Sequence, residues 1–353
     1  MEARKVQRVG YSTLTVSLPR NWVEDMKLKR GDIVSIKREV GGSLKLLAPG
    51  TRRERAEVKS CVVNADLCSS RNLLTRVITG NYILGRDTIQ VVAKDELKKA
   101  HLEEIRATLW RLIGLSIVEQ TPRQLTLQSF IDPTRFPIYG LMRRLHIIVS
   151  SMLEASIEAL TQGRAKLAAE VTHMEEEADR IYWLIVRQLL VAVQDRSTAA
   201  NIGIESPFHI PGDRVVAKML EEMADSAENI AYEIVALKDR DMAREPILNE
   251  VAKFARQVAK IAEQSLKGFL TGEINLANEA IEIVENTEND ERMLTQKVLT
   301  SVKEANFAAS LRIITWSLAQ IAKYSRIIGE VTINRVIEKP SEICTFPHYS
   351  RPS

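Results

Sequence analysis

Over residues 137–337 apolar side chains recur at three-and-four spacing almost without a break, and this constrains the fold more than any other feature. Each segment with such a stripe must form a helix and lay that stripe on a neighbour. Helix breakers divide the run. Gly163 separates 138–162 from 164–194, and the turn-rich segment 201–213, with Gly203, Pro207, Pro211 and Gly212, leads into a helix from Arg214. Segments 246–271, 273–303 and 304–336 follow, with Gly272 placed as Gly163 is in the first half. The expected architecture is two tandem antiparallel three-helix bundles, at 137–240 and 245–337, with a loose tail at 338–353.

The first third of the chain has a different rhythm. Residues 1–50 alternate like short strands: 5–9 and 13–18 joined at Gly10, then a short helix PRNWVEDMK, a turn at KRGD, a strand at 33–36, and a Gly41-Gly42 hairpin into 44–47. So small a unit has too little core to be comfortable alone, and a partner is expected. Residues 51–132 read as βαβαββ: a strand at 57–64, a helix from Ser69 to about Leu84, a strand at 88–93, a helix at 95–114, and a hairpin of 115–118 with 124–130 around Pro122. The fold class is thus multidomain α+β. The middle unit shows no phosphate-binding glycine loop and no catalytic dyad.

On the helix from Arg214, the segment LEEMADSAENIAYE (220–233) sets Glu221 and Asp225 one turn apart, with Asn229 the next step along. The preceding helix repeats the pattern in EEEAD (175–179), with Glu175 and Asp179. Facing pairs on antiparallel helices would bring four oxygen side chains around one place at the bundle surface, and such hard donors suit a cation. Taken singly, an acidic pair four apart is usually solvated charge. The second half departs from the pattern. Its counterpart segment LAQIAKYSRIIGE (318–330) has Ala319 and Lys323 in place of the acids, and Asn286 aligns with Glu175 while Asp290 aligns with Asp179. A second site is therefore expected to be lost, or Lys323 to neutralise Asp290 directly.

These segments resemble the PhoU family of phosphate-uptake regulators, whose paired helical bundles carry E/D-x-x-x-D motifs that bind metal. The resemblance implies a metal site at Glu175, Asp179, Glu221, Asp225 and Asn229 in the first bundle only. The implied cation is iron, manganese, zinc or magnesium; it would either stabilise the bundle or hold inorganic phosphate as a further ligand, since bare carboxylates repel phosphate. The stretch VGYSTLTVSLPRNWVEDMKLKRGDIVSI followed by LKLLAP resembles the swapped-hairpin domain of AbrB-type transcription factors. That resemblance implies a homodimeric β-barrel head that contacts DNA through Arg4, Lys5, Arg8, Arg20, Lys29, Arg30, Lys37 and Arg38. Together the modules resemble an archaeal type of phosphate-uptake regulator.

Charge agrees with a basic head on an acidic body: residues 1–55 carry +7 and the remainder −4. Three cysteines, Cys61, Cys68 and Cys344, match neither a disulfide framework nor a zinc site, and no apolar run reaches membrane-spanning length. A cytoplasmic location is expected. The five histidines, among them His173 near Glu175 and His348 in the tail, show no ligand spacing, and Trp110, Trp183 and Trp316 read as packing residues. Three functions remain open. The first is a non-enzymatic, DNA-binding regulator of phosphate homeostasis. The second is a dimeric adaptor without DNA that docks on a phosphate-transporter ATPase or a sensor kinase. The third, ranked last, is a di-metal enzyme, for which the Glu-x-x-His element is missing.

Overall fold

The computed structural model describes residues 3–38, 43–49, 60–238, 245–341 and 343–345, and the chain divides into two compact units, 1–59 and 60–353. The Gly41-Gly42 turn, the start of the expected strand at 57–59, and His348 lie outside the described residues.

In the first unit β1 (Gln7–Val9) pairs antiparallel with β2 (Thr13–Thr15) across Gly10, whose φ of 69° suits a residue without a Cβ. Helix α1 (Arg20–Asp25) follows Pro19, then β3 (Ser35–Arg38) pairs antiparallel with β4 (Leu44–Leu47). One chain thus forms two separate two-stranded sheets, with no closed barrel among the described residues. The reason lies in burial. Among the described residues of this unit Ala48 alone is buried, while Tyr11, Leu14, Ile33 and Ile36 are 98%, 68%, 81% and 63% exposed. A hairpin pair that buries nothing has no internal source of stability.

The second unit begins with a four-stranded sheet in the order β5 (Ser60–Asn64), β6 (Thr88–Val92), β8 (Gln124–Ser129), β7 (Leu115–Gln120). β5 is parallel to β6, and the other pairings are antiparallel. Helices α2 (Leu73–Ile83) and α3 (Lys99–Arg111) pack with the sheet around Leu74, Ile78, Ile89, Val91, Ile105, Leu125 and Leu127. The alternation that buries Val63, Ile89, Val91, Leu125 and Leu127 while leaving Val62 65% exposed sets one sheet face against the helices. α2 does not begin at Ser69. The chain first makes a 3-10 turn, Ala65–Leu67, capped by the Asn64 side chain, and the helix starts after Asn72, in left-handed conformation at φ 61°. Cys68 is buried and Cys61 half-buried, both as free thiols.

Six long helices follow: α4 (Ile138–Gln162), α5 (Ala165–Gln194), then after the short α6 (Arg196–Asn201), α7 (His209–Ala236), α8 (Ile247–Thr271), α9 (Ile274–Ser301) and α10 (Ala305–Val336). Gly163 and Gly272 cap α4 and α8 at φ 64° and 72°, as the breaks in the periodicity require. α7 starts a turn earlier than Arg214, because Pro211 falls in the first turn, where its missing N–H costs no hydrogen bond. The two bundles also share one core. α7 packs on α10 and α4 on α8, and a single cluster runs from Leu145 and Val149 through Leu220 and Ala227 to Val258, Leu311 and Ile321. Where α10 crosses α9, a Cβ on Gly329 would stand 3.0 Å from the Ala277 carbonyl oxygen, so the close approach needs glycine.

The sheet and the bundle are joined through α5. Arg187, 1% exposed, donates from Nη1 to the carbonyl oxygens of Tyr82 and Arg86, the latter at 3.2 Å, and from Nη2 to Asp87 at 3.2 Å. Its guanidinium also lies 4.9 Å from the Tyr82 ring centroid. Gln188 next to it donates to the carbonyl oxygens of Pro133 and Phe136 at 2.7 and 3.1 Å, closing the linker between sheet and bundle. Trp183 is packed between the two cores, whereas Trp110 and Trp316 are 67% and 49% exposed and do not serve as core residues. Replacement of Arg187 by Met keeps the bulk and orphans two carbonyl oxygens and a carboxylate. The change is expected to cost about 3 kcal/mol in urea unfolding, and a midpoint unchanged from the parent would show that this joint carries no stability.

Candidate functional site

Five carboxylates meet where α5 and α7 run side by side. α5 contributes Glu175 and Asp179, and α7 contributes Glu221, Asp225 and Glu228. The three-and-four spacing that buries Leu220, Met223, Ala224 and Ala227 carries the neighbouring acids to the edge of the helix contact, not out to open water. Asp179 and Glu221 are 7% and 8% exposed, and Glu175, Asp225 and Glu228 are half-buried. The expectation of a surface site therefore needs correction. α3 of the sheet unit reaches α5 here, with Arg111 paired to Asp179.

Charge of one sign held here is costly, and the carboxyl groups respond. Burial, reinforced by Asp179, Glu228 and Asp225, pushes Glu175 up to about 8. Burial raises Glu221 to about 7, with Asp225 and Asp179 adding to it against the opposing hydrogen bond from Lys218. Asp225 rises to about 6, again first through burial and then through Asp179, Glu222 and Glu228. Glu228 is raised too, chiefly by burial, although the Tyr232 hydroxyl donates to it at 3.0 Å.

Two protein cations answer this charge. The Arg111 guanidinium, at the end of α3, forms an ion pair with the Asp179 carboxylate. Lys218, one turn before Glu221, donates to Glu221 and, at 2.8 Å, to Glu222. Its ammonium is held above the ordinary lysine range, since those hydrogen bonds outweigh its burial. Among the described residues no group of three or more His, Cys, Asp or Glu side chains is arranged to hold a metal ion. The donor set has the chemistry of a hard-cation site, but as it stands Asp179 is turned to Arg111 and Glu221 to Lys218. These residues do not form a metal cage in this arrangement.

Of the residues singled out from the sequence, four come together: Glu175, Asp179, Glu221 and Asp225. Asn229 is exposed, as is His173. Glu228, Lys218 and Arg111 had not been singled out. Glu228 lies three residues beyond Asp225 and Lys218 three before Glu221, so local spacing could have found both. Arg111 lies 68 residues from its partner and leaves no local signal. In the second half, Asp290 accepts from Gln257 at 3.3 Å and Lys323 is exposed, with no ion pair between Lys323 and Asp290 among the described residues. The head candidates Arg4, Lys5, Arg8, Arg20, Lys29 and Arg30 are exposed; Lys37 and Arg38 lie in β3 with side chains outside the described residues.

A second polar cluster ties α7 to α10. Arg335 pairs with Asp213 at 3.0 Å and donates to the Tyr139 hydroxyl. His209 stands between Arg335, 3.1 Å from its Nδ1, and Glu338, 2.7 Å from its Nε2. The group borders a cavity of about 420 Å³ lined by Phe208, Phe269 and Val331, and its members satisfy one another.

A carboxyl whose pKa is higher in the folded chain than in the unfolded one keeps a proton that unfolding would release. Folding stability then falls as pH rises through that interval. For Glu175, Glu221 and Asp225 the interval runs from the ordinary carboxylate range to about 8. Lys218 shifts in the opposite sense of charge and matters only in strongly alkaline solution. Without added metal the full chain should melt at progressively lower temperature between about pH 5 and pH 8, and Glu175→Gln with Asp225→Asn should flatten the profile. A flat profile in the parent would contradict the crowding of charge described above.

Residues 142–234, which span most of α4, all of α5 and almost all of α7 and so hold every acidic residue of this site, match the family model for the PhoU domain. No curated protein matches the chain. Among solved structures, PhoU from Pseudomonas aeruginosa aligns with 57% of this chain and 96% of its own length, at 17% identity and a TM-score of 0.52. The phosphate transport system regulatory protein PhoU from Streptococcus pneumoniae aligns with 56% of this chain and 91% of its own, at 14% identity and a TM-score of 0.48. The helical body thus has a fold similar to that of PhoU, and within it residues 142–234 match the PhoU domain model.

Proposed function

We propose that the chain is a regulator of phosphate uptake, in which a PhoU-type helical body relays phosphate status and a dimeric head acts on DNA. The observation that carries the reading is the match of the PhoU domain to the helices that bear the acidic face. The body is the sensing or relay element, and components of a phosphate transporter are its expected contacts. The acidic face would receive a divalent or trivalent cation, iron, manganese, zinc or magnesium, once Lys218 and Arg111 yield their carboxylates. Inorganic phosphate would be held there only through that cation. Elemental analysis of purified protein should find metal in the parent and none in Glu221→Ala with Asp225→Ala. Phosphate binding should appear in equilibrium dialysis only with metal present. Metal retained in the double variant, or equal phosphate binding with and without metal, rejects the assignment.

The head reads as an AbrB-type swapped-hairpin domain that a second copy completes. Exposed Val9, Tyr11, Leu14, Val16, Ile33 and Ile36 are the side chains such a partner would cover. The basic residues Arg4, Lys5, Arg8, Lys29, Arg30, Lys37 and Arg38 would neutralise phosphates of a duplex. Arg20 is paired with Glu24 at 2.9 Å and would have to leave it to reach a phosphate. That engagement, and the bond from Arg8 to the Tyr11 carbonyl oxygen, favour the second reading, a dimeric adaptor that docks on a transporter ATPase or a sensor kinase. Light scattering should give a dimer for the full chain and a monomer for Leu14→Glu with Ile36→Glu. Duplex binding should weaken about a thousandfold between 50 and 200 mM salt if the head contacts six or more phosphates. A dimer without duplex binding at low salt would select the adaptor.

A further inference from the structure

Four helix ends meet at the polar cluster around Arg335. α7 begins there at His209, α4 begins with Tyr139 in its first turn, α8 brings Phe269 in its last turn, and α10 ends with Arg335. The partners of the His209 ring fix its tautomer. A guanidinium can only donate, so Nδ1, 3.1 Å from Arg335, is the bare acceptor. A carboxylate can only accept, so Nε2, 2.7 Å from Glu338, carries the proton. The ring is therefore neutral, and a second proton has no place in this arrangement, because it would stand on Nδ1 against an Arg335 N–H.

The surroundings point the same way. Arg335 faces the ring from α10, Glu338 and Lys339 from just beyond it, and Glu205 from the segment before α7. Asp213 of α7 and the Tyr139 hydroxyl of α4 hold the far side of Arg335, and α8 presents the uncharged Phe269. Burial, then Arg335, keep the imidazole below its usual range against the pull of Glu338 and Glu205. The first residue of a helix is also a poor place for a cation. The guanidinium meanwhile has room to leave. It lies 4.7 Å from the Tyr139 ring centroid and 5.3 Å from that of Phe269, and cavities of about 420 and 450 Å³ border both it and His209.

We propose that His209 is an acid-sensitive latch at this end of the α7–α10 seam: protonation of its Nδ1 breaks the contact with Arg335 and loosens the end of α10 from the start of α7. The two halves of the body pack on each other along α7 and α10, so the latch acts on the joint between them. The charged imidazole keeps Glu338, and Arg335 is the partner expelled. Asp213 acts in a neighbouring range. Burial raises its carboxyl to about 6, and once protonated it no longer offers Arg335 a charge. On global stability the two groups work in opposite directions. The depressed His209 lets the unfolded chain take up a proton first, so its contribution is lost as pH falls below the ordinary imidazole range. The raised Asp213 favours the folded chain as pH falls. A melting temperature therefore does not isolate the latch, whereas a local readout does.

The full chain is titrated between about pH 4.5 and pH 7.5. The His209 ring resonance, identified by its loss in His209→Gln, should titrate below about 6.5. Hydrogen exchange, corrected for its intrinsic pH dependence, should show residues 209–216 and 328–336 about tenfold less protected at the acid end, with 160–168 unchanged. His209→Gln keeps a donor for Glu338 and an acceptor for Arg335 but cannot take the proton, and these segments should stay protected throughout. Glu338→Gln, at an exposed position, removes a group that favours the charged ring, so opening should require lower pH. A His209 that titrates at or above about 6.5, or protection in the parent that does not change with pH, overturns the latch. An equal acid loss in His209→Gln, or an opening pH that Glu338→Gln leaves in place, overturns it as well.

Discussion

The packing of α5 against everything around it is the constraint on which the body of this protein depends. One helix lines the bundle core with Ile181, Leu184, Ile185 and Leu189, carries the sheet unit on Arg187, and presents Asp179 to α7 and α3. Asp179 and Arg187 are eight residues apart, roughly 12 Å along the axis, so a buried cation and a buried anion share one element. Neither could stand alone. Each is answered from the sheet unit, Arg187 by carbonyl oxygens and Asp87, Asp179 by Arg111. The body and the sheet unit accordingly have separate cores and shared polar joints, and removing either joint exposes a charge that the fold has already desolvated.

The acidic face is an electrostatic strain that packing imposes. Leu220, Met223, Ala224 and Ala227 pull α7 into the core, and Glu221, Asp225 and Glu228 are carried into poor solvation with them. Helix geometry fixes these positions, so the carboxylates cannot escape by moving apart; they can be protonated, paired or bridged by a cation. The upward shifts of Glu175, Glu221 and Asp225 show the first response, Arg111 and Lys218 the second. The third requires that the second be undone.

The helices were legible because their signals are local. The stripes, Gly163 and Gly272 gave the long helices to within a few residues, and the pairs Glu175–Asp179 and Glu221–Asp225 followed from spacing on a helix. The sheet order was not legible. That β8 inserts between β6 and β7 depends on which strands meet, and the alternation in each strand would serve other orders equally. The fusion of the two bundles was hidden for the same reason, since α7 on α10 and α4 on α8 are contacts between copies that a repeat does not specify. Arg111 was invisible among 49 lysines and arginines, for nothing in its neighbourhood marks it as the partner of a carboxylate on another element. For the head, sequence and structure describe the same strands, but a single chain leaves their apolar faces bare.

The two halves of the body differ in a way that this distribution of contacts explains. In the second half Ala319 is buried without charge, Lys323 points to water, Asn286 is exposed, and Asp290 is met by the neutral Gln257. These four positions hold one carboxylate, where the first half holds four. The sheet unit, correspondingly, packs on α5 through α2 and α3, and its Arg111 serves the first half. The first half combines its acids with an arginine from outside the bundle that pairs with one of them. The uncharged Ala319 and basic Lys323 of α10 and the docked arginine of α3 are therefore two sides of one asymmetry: the crowded acids lie on the half that another element of the chain reaches.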